Sequence, residues 1–358
     1  MTTKIVGATV LLFAIAAAPT WTVQRSGVTA QLRGISASSE RIVWASGSRN
    51  TVLRSEDGGA TWKTLPNPTT DNKVLDFRDI DAVSDNVAYL LSIGKGPDSR
   101  IFKTTNAGAS WTMQFANADA DAFFDAMAFW NAENGIAVSD SVNGAFVIVT
   151  TRDGGRSWAK VAANRLPPAL PNEGAFAASG TNVAVFGTDR VWFATGAAAR
   201  ARVLRSTDRG ASWQITDTPL KSGGSAGSYS IAFRDAQHGV IVGGDYTKVA
   251  EAVDNIAITS DGGKTWTAVK EHGLGGFRSV VAYVPGSRAS FLAVGPSGSD
   301  ISTDDGRTWT PVEGPGFDTF SFAPGRTIGW GSGARGAIGR LDLKGPTESQ
   351  KSEVRSQK

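Results

Sequence analysis

The chain of 358 residues has no cysteine and only two histidines, His238 and His272. The first absence excludes disulfides, iron–sulfur clusters and thiol nucleophiles. The second excludes a multi-histidine zinc site, and no metal or other cofactor is expected. Charge is scarce where a nucleic acid would need it. The formal net charge is +3, but Lys4 supplies one of these charges and the four Lys/Arg and two Glu from Lys344 to Lys358 supply two more. The remaining body is close to neutral and lacks the basic stripe of a nucleic-acid binder.

Long apolar runs are also missing at the N-terminus. The run from Ile5 to Ala18 has 14 residues, short of the ~20 that cross a bilayer as a helix. It follows the lone early cation Lys4 and carries small residues at Ala14 and Ala16, the pattern of a secretion signal cleaved after Ala16. The expected organisation is therefore a signal peptide over 1–16, one folded domain over 17–343 and a polar, disordered tail over 344–358. Export to the periplasm or the extracellular space follows. An exported chain without disulfides has to draw its stability from the fold itself.

Glycine is abundant, 42 of the 358 residues, and much of it belongs to a repeat. Six octapeptides share the pattern Ser/Thr–x–Asp/Asn–x–Gly–x–Ser/Thr–Trp, the first being Ser55-Glu-Asp-Gly-Gly-Ala-Thr-Trp62 and the last Ser302-Thr-Asp-Asp-Gly-Arg-Thr-Trp309. Their acid or amide falls at Asp57, Asn106, Asp153, Asp208, Asp261 and Asp304, and their tryptophan at Trp62, Trp111, Trp158, Trp213, Trp266 and Trp309. The tryptophans are 49, 47, 55, 53 and 43 residues apart, the period of propeller blades. The side-chain oxygen accepts backbone N–H bonds within a turn, the glycine takes a positive φ, and the hydroxyls add side-chain-to-backbone bonds. The tryptophan opens the next strand and packs between neighbouring sheets.

Each unit holds three further strand candidates. Three strands after the sixth octapeptide, within 317–342, have no octapeptide behind them, and Trp21 to Arg25 resembles the outer strand that follows each octapeptide. The predicted fold is all-β: a seven-bladed propeller of four-stranded antiparallel blades, its ring closed by the N-terminal strand. Closure removes free sheet edges and makes a monomer the simplest state.

The octapeptides resemble the Asp-box, or BNR repeat, of sialidase-like β-propellers. Together with steps such as Val242-Gly243-Gly244 and Ala293-Val294-Gly295 ahead of an octapeptide, the chain is most similar to the photosystem II stability/assembly factor group and its bacterial relatives. That resemblance implies a non-enzymatic platform that binds protein partners, envelope or membrane proteins among them. The wider superfamily implies the alternative, a carbohydrate-active enzyme or a glycan-binding propeller.

The enzymatic signals are thin. The resemblance to sialidases implies an early Arg-Ile-Pro, an arginine triad and a tyrosine nucleophile with a glutamate partner. The nearest sequences here are Arg33-Gly-Ile and Arg41-Ile-Val, and Tyr229 is the one reasonable nucleophile, with Glu173 or Glu251 beside it. A glycosidase using two carboxylates ~5–10 Å apart would draw on Asp140, Glu173, Asp245 and Asp300, which fall where loops converge. No glycine-rich dinucleotide fingerprint follows a strand and opens a helix.

In a propeller the octapeptides occupy one rim, and the longer connections, 92–100, 117–123, 164–173, 219–228 and 245–255, gather on the other, around the channel mouth. Inner-strand starts there carry Phe124, Phe176, Tyr229, Phe277 and Phe317. With Arg78 and Arg278 nearby, they predict an aromatic and cationic funnel for a peptide or glycan. Arg278 draws attention because a charge at that position must find water, a partner or a ligand.

Overall fold

The computed structural model describes residues 19–344; the expected leader over 1–16 and the tail beyond Lys344 lie outside the described residues. The chain folds into seven sheets, each of four antiparallel strands in sequence order except the last. Blade 5 is representative: Ala226–Phe233 lines the channel, followed outward by Gly239–Asp245, Ile256–Thr259 and Thr267–Ala268. Its second strand is buried along its whole length, as expected of a strand covered by sheets on both faces.

The last sheet is completed from the other end of the chain. Thr20–Arg25 pairs antiparallel with Ala337–Asp342, with Trp21 opposite Leu341 and Arg25 opposite Ala337, and outside Ile328–Ser332 and Thr319–Phe322. The Trp21 ring packs 4.7 Å from Phe317 and 5.8 Å from Phe320. The ring is thus closed as the sequence predicts. Seven main apolar clusters fill the spaces between blades.

The octapeptides join third and fourth strands, and their bonding is the same each time. In the first, Asp57 accepts the Thr61 N–H (2.8 Å) on one oxygen and the Thr61 hydroxyl (2.5 Å) on the other, while the Ser55 hydroxyl accepts the Gly59 N–H (2.7 Å). Asn106 reproduces the arrangement, its amide nitrogen donating to Ser110. In the third copy the hydroxyl and N–H of Ser157 pull the Asp153 carboxyl down to about 2.

One feature goes beyond the sequence pattern. The residue before the invariant glycine also has positive φ, including Ala107 (58°), Arg209 (58°) and Asp305 (62°), although side chains disfavour that region. The cause is a hydrogen bond to the first hairpin turn of the same blade. Ala107 N–H donates to Asn86 (3.0 Å), Arg209 N–H to Asp189 (2.8 Å) and Asp305 N–H to Ala289 (2.9 Å). In the three copies with glycine at this position its carbonyl latches the preceding blade, accepting from Trp330 Nε1 at Gly58 (3.1 Å), Tyr89 Oη at Gly154 (2.7 Å) and Trp192 Nε1 at Gly262 (2.9 Å).

Blade 4 departs from the plan. The chain ahead of its inner strand, Val183–Phe186, leaves the sheet and enters the channel.

Candidate functional site

On the rim opposite the octapeptides, four inner strands carry a β-bulge at the same level. The extra residue is Arg33 in blade 1, Arg78 in blade 2, Asp125 in blade 3 and Tyr229 in blade 5. A bulge turns one side chain away from the pleat, and all four residues line a single cavity of ≈ 480 Å³ at the channel mouth. Asp318, just ahead of the inner strand of blade 7, lines it as well, together with Asp140, Phe176, Tyr246 and Phe277.

The floor of this cavity is the chain itself. Residues 176–181, ahead of blade 4, cross the channel and bond to five other blades. Ala178 and Ala177 carbonyls accept from Arg33 (3.3 Å) and Arg78 (3.0 Å). Ser179 donates to the Ser279 carbonyl (2.8 Å), and its own carbonyl accepts from Thr319 (3.0 Å). The Thr181 carbonyl accepts from Ile231 N–H (3.0 Å). Gly180, at φ 73°, is required here: a Cβ on it would stand 2.3 Å from Asp79 Oδ1. The cavity is therefore a cup rather than a through-channel.

The sequence-selected residues divide. Arg78, Asp140, Tyr229 and Phe277 line the cup. Phe176 stacks on Tyr229 at 3.9 Å, and Phe277 meets Tyr229 edge-on at 4.7 Å. Phe124 and Phe317 instead belong to the apolar packing between blades. Arg278 finds its partner inside the protein. Its guanidinium bonds Asp300 at 2.6 and 2.7 Å and the Ser297 hydroxyl at 2.9 Å, with both charged groups buried. Glu173 is buried against Arg202 on both carboxylate oxygens and also accepts from the Thr195 hydroxyl (2.7 Å) and Leu170 N–H (2.8 Å). Asp245 caps its own loop, and the hydroxyls of Thr247 and Ser225 hold its carboxyl down to about 2.

Tyr229 is not set up as a nucleophile. Burial pushes its phenol well above the usual range, and its hydroxyl donates to the Ser225 carbonyl (2.7 Å). Of its two candidate partners, Glu173 is held by Arg202 and Glu251 by Lys221 (2.6 Å).

Arg33, Asp125, Tyr246 and Asp318 complete the cup. Arg78 is paired with Asp76 (3.0 Å), and Asp318 accepts from Gln31 (3.2 Å). Asp125 is 1 % exposed, and among the described residues its Oδ2 has no hydrogen-bond partner; burial, then the neighbouring Asp140, push its carboxyl well above the ordinary value. Burial likewise pushes Asp140 up to about 6, although it accepts the Ala175 N–H at 2.7 Å. A signal for two of these, Arg33 and Asp125, exists in the sequence: an apolar residue, a charged one, a third residue and another apolar one recur at Leu32-Arg33-Gly34-Ile35, Phe77-Arg78-Asp79-Ile80 and Phe124-Asp125-Ala126-Met127.

No family model matches the chain, and no curated protein matches it. Solved structures do. YCF48 bound to a D1 peptide is 16% identical over 90% of this chain and 96% of that one, with a TM-score of 0.64. YCF48 from Cyanidioschyzon merolae is 17% identical over 90% and 98%, also at 0.64. A GH74 xyloglucanase from Xanthomonas campestris is 14% identical, covers 92% of this chain but 55% of the enzyme, and has a TM-score of 0.61. At these identities the likeness shows the shared propeller fold.

Proposed function

We propose that the chain is an exported propeller that holds a segment of a protein partner in the cup, without bond chemistry. The observation that carries this reading is the state of its acids. Glu173 and Asp300 are neutralised by buried arginines and Asp245 is committed to its own loop. What remains open is a cup with aromatic walls, the carboxyls of Asp125 and Asp140 and a floor of backbone, suited to seating side chains of an extended segment. Tyr246, 54 % exposed, and the exposed Val249 and Val253 extend that surface along the loop over 245–255. The fold likeness to YCF48 bound to a D1 peptide agrees with this use.

The test is capture from the native envelope fraction by the wild-type chain and by Arg78→Ala, Tyr246→Ala. These two positions line the cup, whereas removing Arg278 would leave Asp300 buried without its counter-charge. A stoichiometric protein partner lost with the double variant supports the reading. A partner retained by it moves binding elsewhere.

A second reading, a glycoside hydrolase or glycan binder, is favoured by one observation: Asp125 and Asp140 share the cup and both are held toward the protonated form, as one acid of a glycosidase pair must be. Sugar released from a glycan panel by the wild-type chain, and not by Asp140→Asn, would establish it.

A further inference from the structure

The charges of the cup are not balanced from wall to wall. On the blade 1 and blade 2 side, Arg78 is paired with Asp76, and the guanidinium of Arg33 lies in the field of Asp318. On the blade 3 side, Asp125 and Asp140 form no ion pair among the described residues. Asp125 is more than nine-tenths buried, lines the cup and leaves Oδ2 without a partner. Asp140 is the more open of the two, and among the described residues its carboxylate accepts one hydrogen bond, from Ala175 N–H. It also lines a second cavity of ≈ 440 Å³, so Asp140 forms part of the ridge that the two spaces share. Two unpaired carboxylates in a largely desolvated wall are costly unless a cation arrives.

The surroundings select the kind of cation. Phe176, Tyr229 and Tyr246 line the same cup, and aromatic faces attract organic cations. Among the described residues no group of three or more His, Cys, Asp or Glu is placed to hold a metal ion. We propose that Asp125 and Asp140 form the anchor site for a lysine or arginine side chain of the protein partner, its charge on the Asp140 carboxylate with Asp125 adjoining and its methylenes against the aromatic wall. This rests on the protein-binding reading above. A segment lying across the Asp140 ridge reaches both cavities, with the anchoring side chain at the crossing.

The proposal is tested by NMR titration at pH 7.5 with three blocked tripeptides, Gly-Lys-Gly, Gly-Arg-Gly and the uncharged Gly-norleucine-Gly, following the Ala175 amide and the Tyr246 ring. The lysine and arginine peptides are expected to bind at least about tenfold more tightly than the norleucine peptide. Asp140→Asn and Asp125→Asn are each expected to remove that preference while melting no lower than wild type, since each replaces a buried carboxyl, costly when charged, by a neutral isostere. Should Asp125→Asn fail to fold, Asp140→Asn carries the test alone. Binding should weaken at pH 5 as the Asp140 carboxyl, raised to about 6, takes up its proton. The charged groups in whose field they lie are Arg78 for Asp125 and Lys95 for Asp140.

Equal binding of the norleucine peptide, or an undiminished lysine preference in both variants, overturns the proposal. Saturable binding of calcium or spermidine in place of the peptides also overturns it and reassigns the site. If the tripeptides fail but a partner is still captured, this inference falls and the platform stands. If they bind and no partner is captured, the platform reading falls and the site remains as a cation pocket.

Discussion

The two rims of the ring are built on opposite plans. On one, a single turn recurs six times with the same side-chain bonding, and three of the copies add a latch to the blade before. On the other, only a position recurs: the bulge level, occupied by Arg33, Arg78, Asp125 and Tyr229. Repetition spreads stability over many equivalent bonds. Leaving the residue type free at a fixed position lets the cup be chemically specific while the frame stays the same.

The sharpest way to break this contrast is at a latch. Trp330 is fully buried and donates to Gly58 across the closure between blades 7 and 1. Trp330→Ala should cost about 3–5 kcal/mol in denaturant unfolding, with no change in what the cup binds while the protein remains folded. Next is the floor. Arg33→Ala with Arg78→Ala removes two charged donors from the 176–181 segment and should cost about 2 kcal/mol. Faster hydrogen exchange confined to 176–181 would show that the floor, rather than the ring, has loosened.

A third change should stabilise. Most blade junctions at this depth are sealed by hydroxyls, such as Ser36 accepting from Ala82 N–H and Ser230 from Val281 N–H. Between blades 2 and 3 the acceptors are Asp79, to Met127 N–H, and Asp81, to Phe129 N–H. Burial pushes Asp81 up to about 6 and Asp79 well above its ordinary value. A raised folded pKa means the native state holds its proton longer than the unfolded chain, so stability falls as pH rises from about 4 through about 6. Asp81→Asn should therefore gain up to about 2 kcal/mol at pH 7, and almost nothing at pH 4. Melting at the two pH values reads both. The smallest effect belongs to the repeated rim: Asp57→Asn should shift the melting temperature by less than about 2 °C, because Asn106 already performs the same bonding in the second copy.

The frame was legible because it repeats. Six octapeptides at a blade-like spacing fix the number of boxed units, and the strand at Trp21, with no partner nearby in sequence, supplies the seventh. The cup was legible only in part. Asp140 and Phe277 follow from position on strands and loops, but which of two neighbours faces the channel depends on the bulge, and alternation alone assigns Phe124 and Asp125 to opposite sides without saying which side is open. Arg278 stands next to Ser279, which lines the cup, yet a tertiary partner, Asp300, holds the arginine inside. The floor had no signal: residues 176–181 belong to no repeat, and their partners come from blades 1, 2, 5, 6 and 7.

Ring closure also has a consequence in time. The Ser26 hydroxyl meets the Gly336 carbonyl at 2.6 Å across 310 residues of sequence, so the first strand made is the last to find its place. Loop-closure entropy rises only by about 0.6 kcal/mol per doubling of length, so so distant a pairing adds little to the equilibrium cost. It acts instead on the rate: the first strand waits, with its edge unpaired, until the whole chain has emerged, and only then can the floor, which takes donors from Arg33 and from Thr319, be locked from both ends at once.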